Sequence, residues 1–327
     1  MILITGAAGF IGSHLVDLLL EEKIPAKNLR LFVQQSDSLS NLPSKKLEII
    51  KADIRDKKAV KTAMKNVDVV YHLAARTLDG NVYTDYMEVN VDGTQNLLDE
   101  SKNNDVKKFV LFSSIAVFGL PAYVGDMINV DETFPKKAPE IYGKSKLEAE
   151  ERVIKSGLPY AIIRPTTVYG PRDIRNLLEL YRAIKKHLFF FIGDGKNKMD
   201  YVFVKDIVRG ARLAELSTKR KGDYIIGNGK PLTLNEVVRN VSQSIKTSVF
   251  PIHIPKTLGL ALSYLTQYGG KIIAKRSPLF PDRVKVMTSN CYFNIEKAKR
   301  ELNYAPKTSF EEGTRITGDW LTKNGLI

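Results

Sequence analysis

Short, largely apolar runs recur through the first half of this chain, at Leu29–Val33, Leu47–Lys51, Val67–His72, Lys108–Phe112 and Tyr160–Ile163. Such runs are too short for buried helices and mostly lack the alternation of a strand with one wet face, so they suit strands covered on both sides. Segments of helical periodicity separate several of them, roughly Lys57–Lys65, Asn90–Asn103 and Gly143–Ser156. Parallel neighbours need a long crossover, and a helix supplies one. The pattern predicts an α/β fold, a doubly wound parallel sheet over residues 1–165.

Beyond Arg164 the rhythm changes to a helix near Asn176–Lys186, strands at Leu188–Ile192 and Tyr201–Val204, and a helix over Lys205–Leu216. Thr233-Leu-Asn-Glu236 and Ser309-Phe-Glu-Glu312 have capping-box spacing, and each should open a helix. We expect residues 166–327 to form a smaller mixed α/β substrate lobe, with a segment around 200–226 returning to the first domain.

The sheet opens on Ile2-Leu-Ile-Thr-Gly-Ala-Ala-Gly-Phe-Ile-Gly12, a strand, a glycine turn and the start of a helix reaching about Glu22. Gly6 permits the tight turn, Gly9 lets backbone approach a pyrophosphate, and Gly12 lets the helix pack close to the strand. The N–H groups at Phe10 and Ile11 would then face an anion, which makes the domain Rossmann-type.

Composition removes several alternatives. The single cysteine, Cys291, excludes an internal disulfide framework, and the four histidines lack metal-ligand spacing, so no metal site is expected. Met1 leads straight into a buried-type strand, which leaves no room for a signal peptide, and the apolar runs are too short to span a bilayer; the expected location is cytoplasmic. The net charge of +14 suits an anionic ligand or surface. Its lysines are dispersed, and no aromatic-interleaved basic stripe points to nucleic acid.

Two further stretches carry chemistry. Phe109-Val-Leu-Phe-Ser-Ser ends a central strand with Ser113 and Ser114 at its carboxyl end, where doubly wound folds place ligands. Tyr142-Gly-Lys-Ser-Lys146 sets a phenol and an ammonium at i and i+4, on one helix face. A neighbouring ammonium and a positive nicotinamide would favour the phenolate, so Tyr142 could exchange a proton with an alcohol or ketone oxygen during hydride transfer. Ser114 would bond the same oxygen, and Lys146 would also reach the nicotinamide ribose.

Together with Ala52-Asp-Ile54, Tyr71-His-Leu-Ala-Ala75, Asn90-Val-Asp-Gly-Thr94, Arg164-Pro-Thr-Thr-Val-Tyr-Gly-Pro171 and Tyr201-Val-Phe-Val-Lys-Asp206, these motifs resemble the extended short-chain dehydrogenases/reductases, the group of NAD-dependent epimerase/dehydratases. The resemblance implies catalytic Ser114, Tyr142 and Lys146. It also implies a cofactor site of Gly6, Gly9, Phe10, Ile11, Gly12, Gln34, Asp53, Ile54, Leu73, Ala74, Ala75, Asn90, Ser113, Tyr142, Lys146 and Pro165. A homodimer through the Asn90 and Tyr142 helices is implied as well.

Three departures bear on substrate and cofactor. Where an acidic residue would take the ribose hydroxyls of NAD, the chain has Gln34, with Asp37 slightly late, so the cofactor is read as NAD(P) with NADP favoured. Thr167 and Met199 stand where nucleotide-sugar members usually carry asparagine and arginine, and neither can clamp a pyrophosphate. Ser277-Pro-Leu-Phe-Pro-Asp-Arg283 and Asn290–Lys297 resemble the branch of 3β-hydroxysteroid dehydrogenases and dihydroflavonol reductases.

The leading reading is therefore an NAD(P)-dependent oxidoreductase acting on a small-molecule secondary alcohol or ketone. A nucleotide-sugar 4-epimerase or dehydratase with tightly bound NAD is the alternative, with Arg172, Arg175, Asn176, Lys185 and Arg283 as phosphate partners. A non-catalytic dinucleotide-binding module stands third. The apolar segment Ile254–Tyr268, with cations on both sides, suits a pocket wall and, less readily, a membrane surface.

Overall fold

The computed structural model describes residues 1–43, 46–77, 83–119, 121–273 and 281–327. Seven strands form the central sheet: β1 (Ile2–Thr5), β2 (Leu29–Val33), β3 (Glu48–Lys51), β4 (Val69–His72), β5 (Lys108–Phe112), β6 (Tyr160–Pro165) and β7 (Lys221–Ile226). Their order is β7-β6-β5-β4-β1-β2-β3, and every pairing is parallel. The chain winds outward from β1 through β2 to β3, then crosses to β4 and winds the other way. The crevice between the carboxyl ends of β1 and β4 is thus the topological switch point, where such sheets bind ligands.

Successive residues of a strand face opposite layers, and the core divides accordingly. Ile4 packs with Leu15, Val16 and Leu19 of helix Phe10–Glu21 and with Ile207, Val208 and Ala211 of helix Val204–Leu216. Leu3 packs in the other layer with Val60, Leu97, Leu98, Ala149 and Val153, from helices Lys57–Ala63, Gly93–Asn103 and Ile141–Lys155. The helix expected to start at Asn90 begins instead with a π-helical turn, Glu88–Asp92, continued as Gly93–Asn103.

A third core, around Tyr169, Tyr181, Phe203, Val237 and Phe310, belongs to the second half of the chain. Thr233 and Glu236 make a complete capping box, whereas Ser309 caps its helix by accepting from the Glu312 N–H at 3.1 Å. The strand expected over Leu188–Ile192 contracts to Phe191–Ile192, which among the described residues pairs only with the equally short His253–Ile254. The segment Ile254–Tyr268 becomes helix Lys256–Ile273. Residues 277–280 of the branch-like motif, and the side chain of Arg283, lie outside the described residues. Among the described residues no helix is long and apolar enough to cross a membrane, and no three His, Cys, Asp or Glu side chains could hold a metal ion.

Candidate active site

The glycine turn is locked by its neighbours. Gly6 has φ +67°, and a Cβ there would lie 2.8 Å from the Ala74 nitrogen; a Cβ at Gly12 would collide with the Gly6 carbonyl oxygen. Gly9 precedes helix Phe10–Glu21 with no side-chain cap, so the first N–H groups, those of Phe10 and Ile11 among them, have no acceptor within the helix. A backbone cradle with unused donors at the switch point fits a diphosphate.

Register then builds a polar chain beneath this turn. Thr5 pairs with His72 across β1 and β4, and their side chains meet at 2.8 Å. The Ala74 N–H donates to Thr5 Oγ1 at 3.1 Å, and Thr94 Oγ1 donates to the Asn90 carbonyl at 2.6 Å. Because the Thr94 proton is committed, His72 Nε2–H must donate to Thr94 Oγ1 at 2.9 Å, and Nδ1 must accept from Thr5. The imidazole is neutral: burial, then the Lys146 charge, push its pKa down to about 3.

Asn90 extends the chain towards Tyr142. Its side chain accepts from Arg76 N–H at 2.7 Å and donates to Ser145 Oγ at 2.8 Å, and Ser145 in turn donates to the Tyr142 carbonyl at 2.8 Å. The loop carrying Leu73, Ala74 and Ala75 is thereby tied to the helix that carries the phenol. Asn90, expected at the cofactor, gives its side chain to backbone and to Ser145.

Ser114 and Tyr142 come together. Ser114 is extended, at φ −158° and ψ 153°, and its Oγ accepts from the Ala116 N–H at 3.1 Å, leaving its own proton free to donate. Burial pushes the Tyr142 phenol up, the nearby Ser114 hydroxyl pulls it back in part, and Tyr86, whose ring lies edge-on at 6.4 Å, pushes it further up. One turn along, the Lys146 Nζ donates to the Phe112 carbonyl at 2.8 Å, and burial lowers its pKa to about 8.

The same helix face continues to Glu150, a residue the sequence reading missed although 142, 146 and 150 share one spacing. Glu150 and Arg164 are both fully buried and joined by two bonds of 2.8 Å. Arg164 also donates to Asp223 at 2.7 Å, Lys297 donates to Asp223 at 2.7 Å, and Lys136 reaches Glu150 at 3.1 Å. Burial alone would push the Glu150 carboxyl up; Arg164, then Lys136 and Ser113, outweigh it and hold it below the ordinary range. Ser113 donates to Glu150 at 2.6 Å, so its hydroxyl serves this cluster. Pro165 is buried next to Arg164, at the end of β6.

At the other end of the crevice, Asp53 is gripped by Arg55 through two side-chain bonds of 3.0 and 2.8 Å, which hold its carboxyl down, and Ile54 is buried. Gln34 is exposed, and its backbone N–H donates to Asp37 Oδ2 at 2.9 Å. The turn folds Asp37 back, so a carboxylate does stand at the end of β2. Sequence distance alone places it too late.

The candidate phosphate partners fare unequally. Arg172 pairs with Asp17 at 2.7 Å, and Asn176 donates to the Val168 carbonyl at 2.8 Å. Arg175 reaches Thr77 Oγ1, on the loop that follows Ala75. Thr167 pairs with Tyr201, and Met199 accepts from the Tyr201 hydroxyl at 3.6 Å. Lys185 is exposed.

With this geometry in place, the profile of the NAD dependent epimerase/dehydratase family matches residues 2–227. The chain belongs to this family. Its relatives divide between two chemistries. The decarboxylating sterol-4-alpha-carboxylate 3-dehydrogenase of Candida albicans is 30% identical over 350 residues, covering 99% of this chain and 98% of that protein. The 3beta-hydroxysteroid-dehydrogenase/decarboxylase isoform 2 of Arabidopsis thaliana is 30% identical over 97% of this chain, which spans 61% of that protein's length.

The N-acetyl-alpha-D-glucosaminyl-diphospho-ditrans,octacis-undecaprenol 4-epimerase of Escherichia coli O157:H7 is 32% identical over 319 residues, covering 94% and 91%. Among solved structures, the UDP-glucose 4-epimerase of Thermotoga maritima with UDP-glucose superposes with a TM-score of 0.77 at 25% identity, covering 99% of each chain. The chain is an enzyme of the NAD-binding epimerase, dehydratase and dehydrogenase group, with the family's sheet.

Proposed function

We propose that this protein is an NAD(P)-dependent oxidoreductase acting at a secondary alcohol or ketone carbon, with Tyr142 as its acid and base. The observation that carries the reading is the convergence at the carboxyl edge of β5 of Ser114, whose hydroxyl lies near enough to the Tyr142 phenol to favour its ionised form, with Lys146 buried one turn along the Tyr142 helix. When bound, the dinucleotide supplies the hydride acceptor or donor. Tyr142 takes the proton from the substrate hydroxyl, and the free proton of Ser114 donates to the same oxygen. Lys146 has three donors and gives one to Phe112, so two remain for the ribose and for drawing the phenol towards its ionised form.

Replacing Tyr142 by Phe should lower turnover by about 10²–10⁴-fold, the usual worth of a positioned acid–base group. The Kd for NADH should stay unchanged. Turnover within threefold of wild type in Tyr142→Phe would remove the phenol from the mechanism.

The carboxylate of Asp37 favours NAD over NADP in this reading, reversing the balance struck from Gln34. A carboxylate at the end of β2 can accept from ribose hydroxyls and repels a 2′-phosphate. NADH should bind more tightly than NADPH, and Asp37→Ser should narrow the ratio of the two Kd values. Tighter NADPH binding by the unaltered enzyme would return the assignment to NADP.

A nucleotide-sugar 4-epimerase is the second reading, favoured by Arg175 at the crevice and by the epimerase relatives. Thermal unfolding of the NADH-loaded protein with and without excess UDP-glucose separates the two. Ligand at a hundred times its Kd adds about 2.7 kcal/mol to the folded state, a clear upward shift. In either reading a homodimer would form across helices 83–103 and Ile141–Lys155, whose outer faces meet in a groove lined by Tyr83, Met87 and Leu147.

A further inference from the structure

Helix Lys256–Ile273 is amphipathic in the inverted sense. Its face against the protein carries the buried Gly259 and Ser263, and a Cβ at Gly259 would lie only 2.5 Å from Ile192 Cγ2. The apolar stripe runs through Leu258, Ala261, Leu262 and Leu265, at i, i+3, i+4 and i+7, a spacing that ordinarily marks the buried face. Here it points to solvent: Leu258 is 50%, Leu262 39% and Leu265 69% exposed.

The adjoining strand pair extends this surface. Phe191 pairs with His253, and its N–H donates to the Ile252 carbonyl at 2.8 Å; counting back along that register sets Phe190 opposite Ile252. Both are exposed, as are Leu188 and Phe250, the last 72%. Apolar side chains scattered singly over a surface are ordinary, whereas a cluster drawn from neighbouring elements marks a contact surface.

Cations accompany the patch. Lys185 and Lys186 precede Leu188, Lys246 precedes Phe250, and Lys256 opens the helix; all four are exposed and in no ion pair among the described residues. They sit on a chain of net charge +14. A second copy of this chain would bring the same four cations around one shared apolar contact, like against like. An anionic lipid surface meets both features, accepting leucine and phenylalanine below its headgroups and lysine at them.

We propose that this face, helix Lys256–Ile273 with the strand pair beside it, docks on an anionic lipid surface. The proposal does not depend on which reaction the enzyme performs, because it is read by binding alone.

The test floats the full-length protein with vesicles of phosphatidylcholine mixed with phosphatidylglycerol, and with phosphatidylcholine alone, at low salt. The protein should rise with the anionic vesicles, stay behind with the neutral ones, and be released at high salt. The triple variant Leu258→Asp, Leu262→Asp, Leu265→Asp should lose at least about tenfold of the floated fraction. Its Kd for NADH and its thermal midpoint should match wild type, because the altered side chains are exposed. Wild-type protein left at the bottom with anionic vesicles would overturn the proposal, and so would a triple variant that floats equally well. A concentration-dependent dimer broken by the triple substitution, without flotation, would assign the face to a second copy instead.

Discussion

Two buried polar systems stand beside Tyr142 and Lys146, one neutral and one charged. On the β1 side, Ala74, Thr5, His72, Thr94 and Asn90 are joined by single bonds in which each hydroxyl donates once and accepts once. On the β6 side, Arg164, Glu150, Asp223 and Lys297 share short charge-assisted bonds. Each neutral bond contributes about 1 kcal/mol net, but their donors and acceptors permit one arrangement only. The charged bonds are individually stronger, yet desolvating the ions offsets much of the gain. The neutral chain therefore orients the loop that carries Leu73, Ala74 and Ala75, whereas the charged cluster ties helix Ile141–Lys155 to the strands it covers.

Acid should separate the two systems most. The unfolded chain binds a proton at His72 below about pH 6.5, whereas the folded protein excludes it until about pH 3. Stability at the neutral chain therefore falls as pH drops through that window, by roughly 5 kcal/mol across all of it. His14, lowered to about 4 by burial, adds a shorter slope of the same sign. Urea unfolding at a series of pH values should show this slope, and His72→Gln should make it shallower. An identical slope in the variant would mean that His72 titrates normally.

Arg164→Met tests the charged side. Removing one partner leaves Glu150 buried and poorly compensated, at a cost of about 3–5 kcal/mol at neutral pH. Adding Glu150→Leu should recover part of the loss, because an apolar pair leaves no ion stranded. If the single variant loses under about 1 kcal/mol, the cluster is better hydrated than its burial implies.

The smallest effect is expected at Thr94→Val, which leaves His72 Nε2–H without its acceptor and should cost about 1–3 kcal/mol. The same denaturation series measures it. A loss as large as that of Arg164→Met would erase the distinction between the two systems.

The contrast also separates the features legible in the sequence from those that were not. Strands β1 to β6, the glycine turn and the Tyr142 face follow from local patterns, since apolar runs and four-residue spacing need no knowledge of distant contacts. The neutral chain was half visible: all five residues stand in the quoted motifs, but the bonds joining Thr5, His72 and Thr94 depend on the register of β1 with β4 and on the turn that precedes Thr94, which no motif reveals. The charged cluster was hidden, because Glu150 and Arg164 read as surface charges until the fold buries both. The return of Asp37 to the end of β2 was hidden for a related reason, a turn having shortened in space what three residues lengthen in sequence. The outward face of helix Lys256–Ile273 shows the opposite failure, where periodicity is correct but the side it buries is not.

The π-helical turn has a consequence for how this enzyme can vary. The Gly93 N–H reaches back to the Glu88 carbonyl, so the turn holds one residue more than its α-helical neighbours. Tyr86 before it faces the Tyr142 ring, Asn90 within it holds Ser145, and Thr94 after it meets His72. Each residue added to or removed from a helix rotates the remainder of that helix by about 100°. Deleting a single residue here could leave Tyr86, Asn90 and Thr94 in the sequence yet would turn Thr94 away from His72. Along this stretch selection should therefore act on the count of residues as strictly as on their identity, tolerating changed letters more readily than gaps.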